Sequence, residues 1–387
     1  MKYNFDKIVN RRGTNSLKYD YAKESGKPES AMPLWVADMD FEIPPEATEA
    51  ILECARHAVY GYTITKGDYD RAVIDWFARY FGFEGKPEWI VKTPGVVYAL
   101  AMAVRAFTEE NDAVMIQMPV YYPFNSVVTD NNRRLVDNPL VRNSSGRYHI
   151  NFGDFEQKIK ENKVKMFILC SPHNPVGRVW TQDELWEIGK ICRRYNCLVV
   201  SDEIHCDLTF KGYTHHTYPT VCGLENMVLC TAPSKTFNLA GLQNSNIFIP
   251  DESLRTKFSD EIAKSGYSQL NTMGLAATKA VYNDGHDWLA ELRGYLQGNL
   301  EFIKTFLAKN IPRVRLVEPE GTYLVWLDFS GYGLPHDKLD DMLLNQAGVW
   351  FGSGTSFGTG GEGFWRVNIA CPRARLEEAM ERVRRIG

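Results

Sequence analysis

The sequence lacks any long hydrophobic run. None of its 387 residues belongs to a stretch approaching the roughly 18 uncharged apolar residues that span a bilayer. The first seven residues, MKYNFDK, also lack the apolar segment of a signal peptide. We therefore expect a soluble, unprocessed protein with no membrane partner.

An excess of charge of one sign is absent as well. The 44 Lys and Arg residues nearly balance the 48 Asp and Glu residues, which gives a formal net charge of -4. Proteins that bind a nucleic-acid backbone need a clustered basic excess. We therefore do not expect nucleic acid to be a partner.

The eight cysteines include no CxxC pair, so neither a redox motif nor a zinc-binding pair is present. Reduced thiols with a structural role indicate a cytoplasmic protein. The densest group of potential metal ligands comprises His205, Cys206, Asp207, His215 and His216. Their spacing fits no closed zinc pattern, so we expect no metal site.

What the sequence does contain is ample material for a core, with 44% hydrophobic and 12% aromatic residues. The length corresponds to about two or three domains, and no internal repeat or linker separates them. In the middle of the chain, short apolar runs alternate with amphipathic segments, a pattern typical of parallel strands with helices on both faces of the sheet. The runs are 113–118, 166–170, 198–201, 227–231 and 246–249.

Local signals place helices and a second unit around these runs. Thr181 followed by Glu184 is a capping box that begins an amphipathic helix. After about Tyr282 the pattern changes to a long helix over residues 287–310, a strand over 321–327, a further apolar run over 364–370 and a charged helix from Arg373. We predict a large α/β domain of residues 49–286. A smaller α+β domain is expected to combine residues 1–48 with 287–387.

Polar residues follow three of the apolar runs, and a glycine precedes the helical segment 96–107. The residues concerned are Gly95, Asn174, Asp202, Ser234 and Lys235. Because open α/β sheets bind ligands beyond the carboxyl ends of their strands, these groups are expected to converge on one site.

Each residue has two interpretations. Lys235 is either a surface lysine or a desolvated amine that reacts with a carbonyl group. Asp202 either forms a salt bridge or a helix cap, or accompanies a protonated pyridine nitrogen. Asn174 either forms a turn or donates to a phenolate oxygen. Gly95 either caps a helix or opens a phosphate site at its N-terminus.

Three motifs favour the functional interpretations. They are the NPxG turn at 174–177, SDE at 201–203 and SKTFNLAG at 234–241. With these motifs in this order, the chain resembles the fold type I pyridoxal-phosphate enzymes, the aspartate-aminotransferase superfamily, from end to end. It most resembles the MalY/PatB group of cystathionine β-lyases, through MPLWVADMDF at 32–41, GYT at 61–63, SDEIH at 201–205 and SKTFNLAGLQ at 234–243.

The resemblance implies an α/β fold with a mostly parallel central sheet, helices on both faces and a smaller α+β domain. It implies pyridoxal 5'-phosphate as the cofactor and a homodimer whose active sites are shared across the interface. Catalytic roles are implied for Lys235, Tyr121 and Asp202. Cofactor contacts are implied for Lys235, Tyr121 and Asp202 and for Gly95, Val96, Asn174, His205, Ser234 and, from the neighbouring subunit, Tyr62. Substrate contacts are implied for Arg366, Ala37 and Tyr122.

Within these roles, Lys235 would form the Schiff base, Asp202 would contact the pyridine nitrogen and Asn174 the phenolate oxygen. Tyr121 would stack on the cofactor ring. Arg366 would bind the substrate α-carboxylate through a bidentate fork.

The implied reaction is α,β-elimination from cystathionine, cysteine or other S-substituted cysteines, giving a thiol or sulfide, pyruvate and ammonia. An aminotransferase with the same cofactor residues is the alternative. His205 and Gln243 stand where many aminotransferases have tyrosine and arginine, and both differences match the lyase group. A purely regulatory binding protein is disfavoured, because Lys235, Asp202 and Asn174 are all present. The preferred thiol substrate, the pathway and any regulatory partner stay open.

Overall fold

Seven strands from the middle of the chain form one sheet in the computed structural model, which describes residues 2–386. They are β1 (Ile90–Thr93), β2 (Ala113–Ile116), β3 (Arg134–Asp137), β4 (Met166–Cys170), β5 (Leu198–Asp202), β6 (Met227–Thr231) and β7 (Ser245–Phe248). Their order across the sheet is β1-β7-β6-β5-β4-β2-β3. The five predicted runs all lie within or overlap strands of this sheet.

The sheet is mostly parallel, as expected. β3, β2, β4, β5 and β6 pair parallel to their neighbours, whereas β7 is antiparallel to both β6 and β1. The segment between β6 and β7 holds only the helix Pro233–Thr236 and a short 3-10 turn. Without a long crossover helix, the chain returns in the opposite direction.

Alternate residues of the central strands enter apolar clusters on opposite faces of the sheet. In β4, Phe167 and Leu169 pack in one cluster and Ile168 packs in the other. Every residue of β4, β5 and β6 is buried. This two-sided burial explains why the strands read as continuous apolar runs.

Helices cover the sheet and connect its strands. Those of the middle of the chain are Pro45–His57, Gly67–Phe81, Val96–Phe107, Pro123–Thr129, Phe152–Asn162, Gln182–Arg194, Tyr218–Cys222, Glu252–Lys264 and Thr272–Asp284. The predicted capping box is present. The Thr181 hydroxyl accepts from Glu184 N at 3.2 Å, and the Glu184 carboxylate accepts from Thr181 N at 2.9 Å. None of the helices within residues 2–386 is long and apolar enough to cross a membrane.

A second sheet is built from the C-terminal third of the chain. Its strands are β8 (Arg315–Val317), β9 (Leu324–Asp328), β10 (Gly352–Ser353) and β11 (Phe364–Asn368), arranged antiparallel in the order β8-β9-β11-β10. Helices His286–Asn310, His336–Asp341 and Arg373–Arg384 accompany this sheet, with a π-helical turn at Met342–Gln346. The predicted boundary after residue 286 coincides with the start of the long helix, and the domain limits themselves stay a prediction.

The N-terminal residues join this second unit. After the short helix Leu17–Asp20, Met32–Pro33 pairs parallel with Val349–Trp350. The only other pairing of short strands described is the hairpin of Val141–Arg142 with Tyr148–His149.

Residues 34–41, which we call the strap, run from this pairing toward the large sheet. The Asn368 amide donates to Val36 O at 2.7 Å, and the Asn238 amide donates to Phe41 O at 2.9 Å. The strap is therefore fixed at one end by the small sheet and at the other by the segment that follows β6. Its backbone carbonyls lie between the two.

Candidate active site

One pocket of about 270 Å³ lies where the carboxyl ends of β4, β5 and β6 meet the start of helix Val96–Phe107. Nine of the twelve residues that we predicted for the site line it. They are Ala37, Gly95, Val96, Tyr121, Asn174, Asp202, His205, Ser234 and Lys235. The predicted convergence of strand-end residues is thus present in the structure.

Lys235 lies in the helix Pro233–Thr236 immediately after β6. Its Nζ atom donates to the carbonyl oxygen of Ala37, in the strap, at 2.8 Å. Burial of the amine and the positive charge of Arg366 lower its pKa to about 8, and the carboxylates of Asp38 and Asp202 offset part of this shift. A larger fraction of the amine is therefore uncharged and nucleophilic near neutral pH than for an ordinary lysine.

Asp202 ends β5 and its side chain is buried. Its Oδ1 atom accepts from the backbone N–H of Ile204 at 3.1 Å, and no ion pair to it is found within residues 2–386. Burial, together with the neighbouring Glu203, raises its pKa to about 7, against the lowering effects of the Ile204 N–H and Lys235. A buried carboxylate without a counterion can form an ion pair with a cationic group of a ligand.

Helix Val96–Phe107 offers an anion site. Gly95 precedes it with a φ of 135°, and no side chain caps its N-terminus. Gly95 N donates to the Ser245 hydroxyl at 3.1 Å, while the first N–H groups of the helix have no intrahelical acceptor. With Ser234 on the lining of the same pocket, these donors suit a phosphate group.

Asn174 and Arg366 connect the two sheets at the side of the pocket. Arg366 lies on β11, and its Nη1 donates to Asn174 Oδ1 at 3.1 Å. Its Nη2 donates to the carbonyl oxygen of Trp35 at 2.7 Å, and its buried Nε has no partner among residues 2–386. Burial lowers the pKa of Arg366 to about 10.

Arg366 has no carboxylate within 4 Å in the described part of the chain. A buried guanidinium is normally paired, because an isolated charge in the interior is costly. The unpartnered Nε, together with the N–H groups of the two Nη atoms that are not already donating, therefore suits a carboxylate from a ligand.

Tyr121 and His205 complete the lining. Burial is the main cause that raises the pKa of Tyr121 to about 12, so its phenol is uncharged. Burial and the charges of Lys235 and Arg366 lower the pKa of His205 well below its usual range. The neutral imidazole lies edge-on to Tyr323, and no hydrogen-bond partner of its Nδ1 atom is found in the described part of the chain.

Three of the twelve predicted residues do not line the pocket: Arg366, which lies at its side, and Tyr62 and Tyr122, which lie further away. Tyr62 is 98% exposed and lines a separate surface cleft with Gln243, a residue that also lines the pocket. Tyr122 is exposed and lines a neighbouring cleft with Tyr121 and Phe357. Their contacts with cofactor and substrate stay predictions.

Some groups at the site were not predicted from the sequence. The Tyr323 hydroxyl donates to Ala37 O at 2.9 Å, so this carbonyl accepts from both Tyr323 and Lys235. Trp35 takes part only through its backbone carbonyl, which no side-chain pattern reveals. Tyr323 lies in the predicted strand 321–327, where an aromatic residue is ordinary, and only its place in three dimensions distinguishes it.

Comparison with known proteins defines the class. Residues 29–383 match the family "Aminotransferase class I and II", and the chain belongs to this family. The mostly parallel sheet described above, flanked by helices, agrees with this assignment, and the fold predicted from the sequence is confirmed.

The similarity to particular members is extensive. The chain is 43% identical to cystathionine beta-lyase PatB of Bacillus subtilis over 383 residues, 98% of this chain and 99% of that protein. It is 31% identical to Protein MalY of Escherichia coli, over 98% and 97% of the two chains. The crystal structure of cystalysin from Treponema denticola, which contains pyridoxal 5'-phosphate, superimposes with a TM-score of 0.96 at 35% identity, covering 100% of this chain and 99% of that one. The resemblance to the MalY/PatB group is therefore confirmed.

Proposed function

We propose that this protein is a pyridoxal-phosphate-dependent carbon–sulfur β-lyase acting on S-substituted cysteines. The observation that carries the proposal is that Lys235, the unpaired carboxylate of Asp202 and an uncapped helix N-terminus line one pocket. Amine, carboxylate and anion site match the aldehyde, the pyridine nitrogen and the phosphate of this cofactor.

The remaining residues fit the same group. The first turn of helix Val96–Phe107 and Ser234 would hold the phosphate, and Asp202 would hold the protonated ring nitrogen. The side-chain Nδ2 of Asn174, which makes no hydrogen bond within the described residues, would donate to the phenolate oxygen. Tyr121 would cover the ring. When bound, pyridoxal phosphate supplies an electron sink for the electrons of a bond broken at the substrate α-carbon.

The side chains divide the work of the reaction. Arg366 binds the α-carboxylate through its fork and so orients the α-carbon. Lys235 Nζ removes the α-proton, and its lowered pKa keeps part of the amine uncharged for this step. Asp202 stays ionised beside the cation that it holds.

Loss of the sulfur substituent from the β-carbon then gives the thiol. The remaining three-carbon part of the substrate reacts with one water molecule to give pyruvate and ammonia. For cystathionine the thiol is homocysteine, and for cysteine it is hydrogen sulfide.

A lyase is favoured over an aminotransferase because PatB, which matches over nearly the whole length, is a cystathionine beta-lyase. His205 and Gln243, which differ from the common aminotransferase pattern, line the pocket itself. The two residues that differ from the aminotransferase pattern therefore lie where the cofactor would bind.

We further propose a homodimer in which Tyr62 completes the site of the neighbouring subunit. Val59, Tyr60, Tyr62 and Ile64 are all exposed, and an apolar surface of this kind is typical of an interface. The cleft lined by Tyr62 borders the pocket through Gln243.

The eight cysteines are all free, which supports a reducing compartment such as the cytoplasm.

Pyruvate release tests the reaction. Purified protein with pyridoxal phosphate is incubated with S-ethylcysteine or cystathionine in the absence of any keto acid, and pyruvate is measured. We expect pyruvate, with the Lys235→Ala variant as the inactive control. Amino-group transfer that depends on an added keto acid, without pyruvate release in its absence, would show an aminotransferase.

A further inference from the structure

We propose that Ser245 is a positioning residue of the phosphate site. Its hydroxyl holds Gly95 in the backbone conformation that leaves the first N–H groups of helix Val96–Phe107 free for a phosphate group. The proposal rests on the proposed use of pyridoxal phosphate, and it assigns a role to a residue that does not itself line the pocket.

The direction of β7 brings Ser245 to this place. β7 is antiparallel to both of its neighbours, β1 and β6. Its first residue, Ser245, therefore pairs with Thr93, the last residue of β1. A β7 parallel to its neighbours would begin at the opposite edge of the sheet. The antiparallel direction thus places a hydroxyl group beside the segment that leads into the helix.

The hydrogen bonds of the Ser245 hydroxyl are all made within the protein. Its Oγ atom accepts from Gly95 N at 3.1 Å and donates to Thr93 O at 2.9 Å. Since the proton of Ser245 is used for Thr93 O, the Thr93 hydroxyl, 2.6 Å away, supplies the second donor to this oxygen. Both side chains are fully buried. Ser245 therefore acts on the site only through the groups that it holds.

Gly95 is the group that requires holding. Its φ of 135° and ψ of 157° lie in a region almost restricted to glycine. Such a conformation persists only where the surrounding structure enforces it. Gly95 N is bound by Ser245, and Gly95 O accepts from Ala99 N at 3.1 Å, which begins the helical hydrogen bonding. The bond from Gly95 N therefore fixes the start of the helix to the sheet.

This arrangement defines which donors remain for a phosphate group. The Gly95 N–H is occupied by Ser245. The next three N–H groups, of Val96, Val97 and Tyr98, have no intrahelical acceptor, and these three residues line the pocket. Donors that are fixed before the ligand arrives bind it without a further ordering cost. Loosening Gly95 should therefore weaken binding of the phosphate group in particular.

Two ligands that differ only in the phosphate test the role of Ser245. The full-length protein, freed of cofactor, is titrated with pyridoxal phosphate and with pyridoxal, and each Kd is measured from the absorbance of the Schiff base. In Ser245→Ala, the Kd for pyridoxal phosphate should rise at least about tenfold and that for pyridoxal less than about twofold. Thr93→Val, which removes the supporting hydroxyl at similar volume, should change the same Kd in the same direction by a smaller factor.

Thr231→Val is the matched control. Thr231 is fully buried, and its hydroxyl donates to Asn246 O, in β7, at 2.7 Å. The variant therefore removes a comparable hydrogen bond to the same strand without touching Gly95. It should lower the free energy of unfolding as Ser245→Ala does, but leave the Kd for both ligands unchanged. Equal weakening of pyridoxal phosphate in Thr231→Val would overturn the proposal, because general loosening of β7 would then explain the effect.

The remaining outcomes separate this proposal from the proposed function. If Ser245→Ala binds pyridoxal phosphate as tightly as the unaltered protein does, or loses affinity equally for pyridoxal, Ser245 does not position the phosphate site. The lyase function still stands in that case if the unaltered protein releases pyruvate. If the unaltered protein binds pyridoxal phosphate no better than pyridoxal, the phosphate site is wrong and both proposals fail.

Discussion

At the residue scale, burial moves the two titratable groups that face the pocket toward each other in pKa. The pKa of the Lys235 amine is lowered to about 8 and that of the Asp202 carboxyl is raised to about 7. Burial disfavours the charged form of each side chain, and this lowers the pKa of the amine and raises the pKa of the carboxyl. A bound cation beside Asp202 reverses this effect for the carboxylate, so a ligand with a protonated ring nitrogen supplies what the pocket lacks.

The lowered pKa of Lys235 is testable on the cofactor-free protein. Because burial disfavours the ammonium form, the amine loses its proton at a lower pH than a free lysine side chain does. The rate of acetylation at Lys235, followed by peptide mass spectrometry, should reach half its maximum near pH 8. The exposed Lys23 in the same sample serves as the reference. A midpoint for Lys235 at or above that of Lys23 would contradict the burial effect.

Replacement of the same lysine tests its proposed chemistry. Lys235→Ala removes both the covalent attachment and the proton acceptor, so elimination should fall by at least about a thousandfold. Pyridoxal phosphate should still bind, through the helix N-terminus and Asp202, as absorbance after gel filtration will show. In the unaltered protein, borohydride should fix the cofactor to the peptide that contains Lys235, and a label on another lysine would refute the assignment.

Arg366→Lys tests the carboxylate site. Lysine keeps the charge but not the planar fork, so kcat/KM on S-substituted cysteines should fall at least about tenfold, equivalent to about 1.4 kcal/mol. Matching amines without the carboxylate should be affected little, and cofactor occupancy should not change. An equal loss on both kinds of compound would assign the arginine a structural role.

Site residues differ in how far the sequence can predict them. Lys235, Asp202 and Asn174 follow apolar strands, so topology alone brings them to one edge of the sheet. Tyr323 and Trp35 reach the site through a tertiary contact and a backbone carbonyl. Neither kind of contact depends on a recognisable local pattern.

At the scale of the element, the start of helix Val96–Phe107 joins the fold to the site. Gly95 takes a φ that L residues rarely adopt, and this conformation aims the helix N-terminus at the pocket. The same glycine therefore serves the chain geometry and the anion site.

Two glycine replacements with opposite signs test this conclusion. Gly95→Ala should lower the free energy of unfolding by about 1–3 kcal/mol through backbone strain, and it should weaken retention of pyridoxal phosphate. Gly294→Ala, at an exposed position inside helix His286–Asn310 with nothing within 4 Å of the added carbon, should raise it by about 0.5–1 kcal/mol. Denaturant titrations of both variants measure the difference. If both changes stabilise the protein, the strain at Gly95 is absent.

Elements are predictable where their signal is local. The capping box at Thr181 was correct because its hydrogen bonds lie within four residues. Strands β1 and β3 were missed because Lys92 and Arg134 interrupt their apolar pattern at exposed or half-buried positions. The direction of β7 depends on the path of the preceding loop, which an apolar run does not encode.

At the scale of the whole molecule, the proposed dimer makes each site depend on two chains. Tyr62 lies on an exposed apolar segment and does not line the pocket of its own chain. If each site needs residues from two subunits, two chains with different defects should regain activity when they form a mixed dimer.

Mixed dimers provide the test. Tyr62→Phe and Lys235→Ala, each with strongly reduced activity, are mixed under conditions that allow subunits to exchange. About one quarter of the unaltered activity should return, because half of the dimers become mixed and each mixed dimer has one intact site of two. An active and stable monomer in sedimentation would refute the shared site.

The strap contacts residues that are synthesised at very different times. Trp35 O and Ala37 O, made among the first residues, bind Arg366, made among the last, and Lys235, made between them. The pairing of Met32–Pro33 with Val349–Trp350 likewise joins segments separated by most of the chain. The contacts with Arg366 and Val349–Trp350 cannot form until these C-terminal residues have been synthesised. A nascent chain still on the ribosome can therefore complete its large sheet, but not the arginine side of its pocket, and a truncated product has no complete carboxylate site.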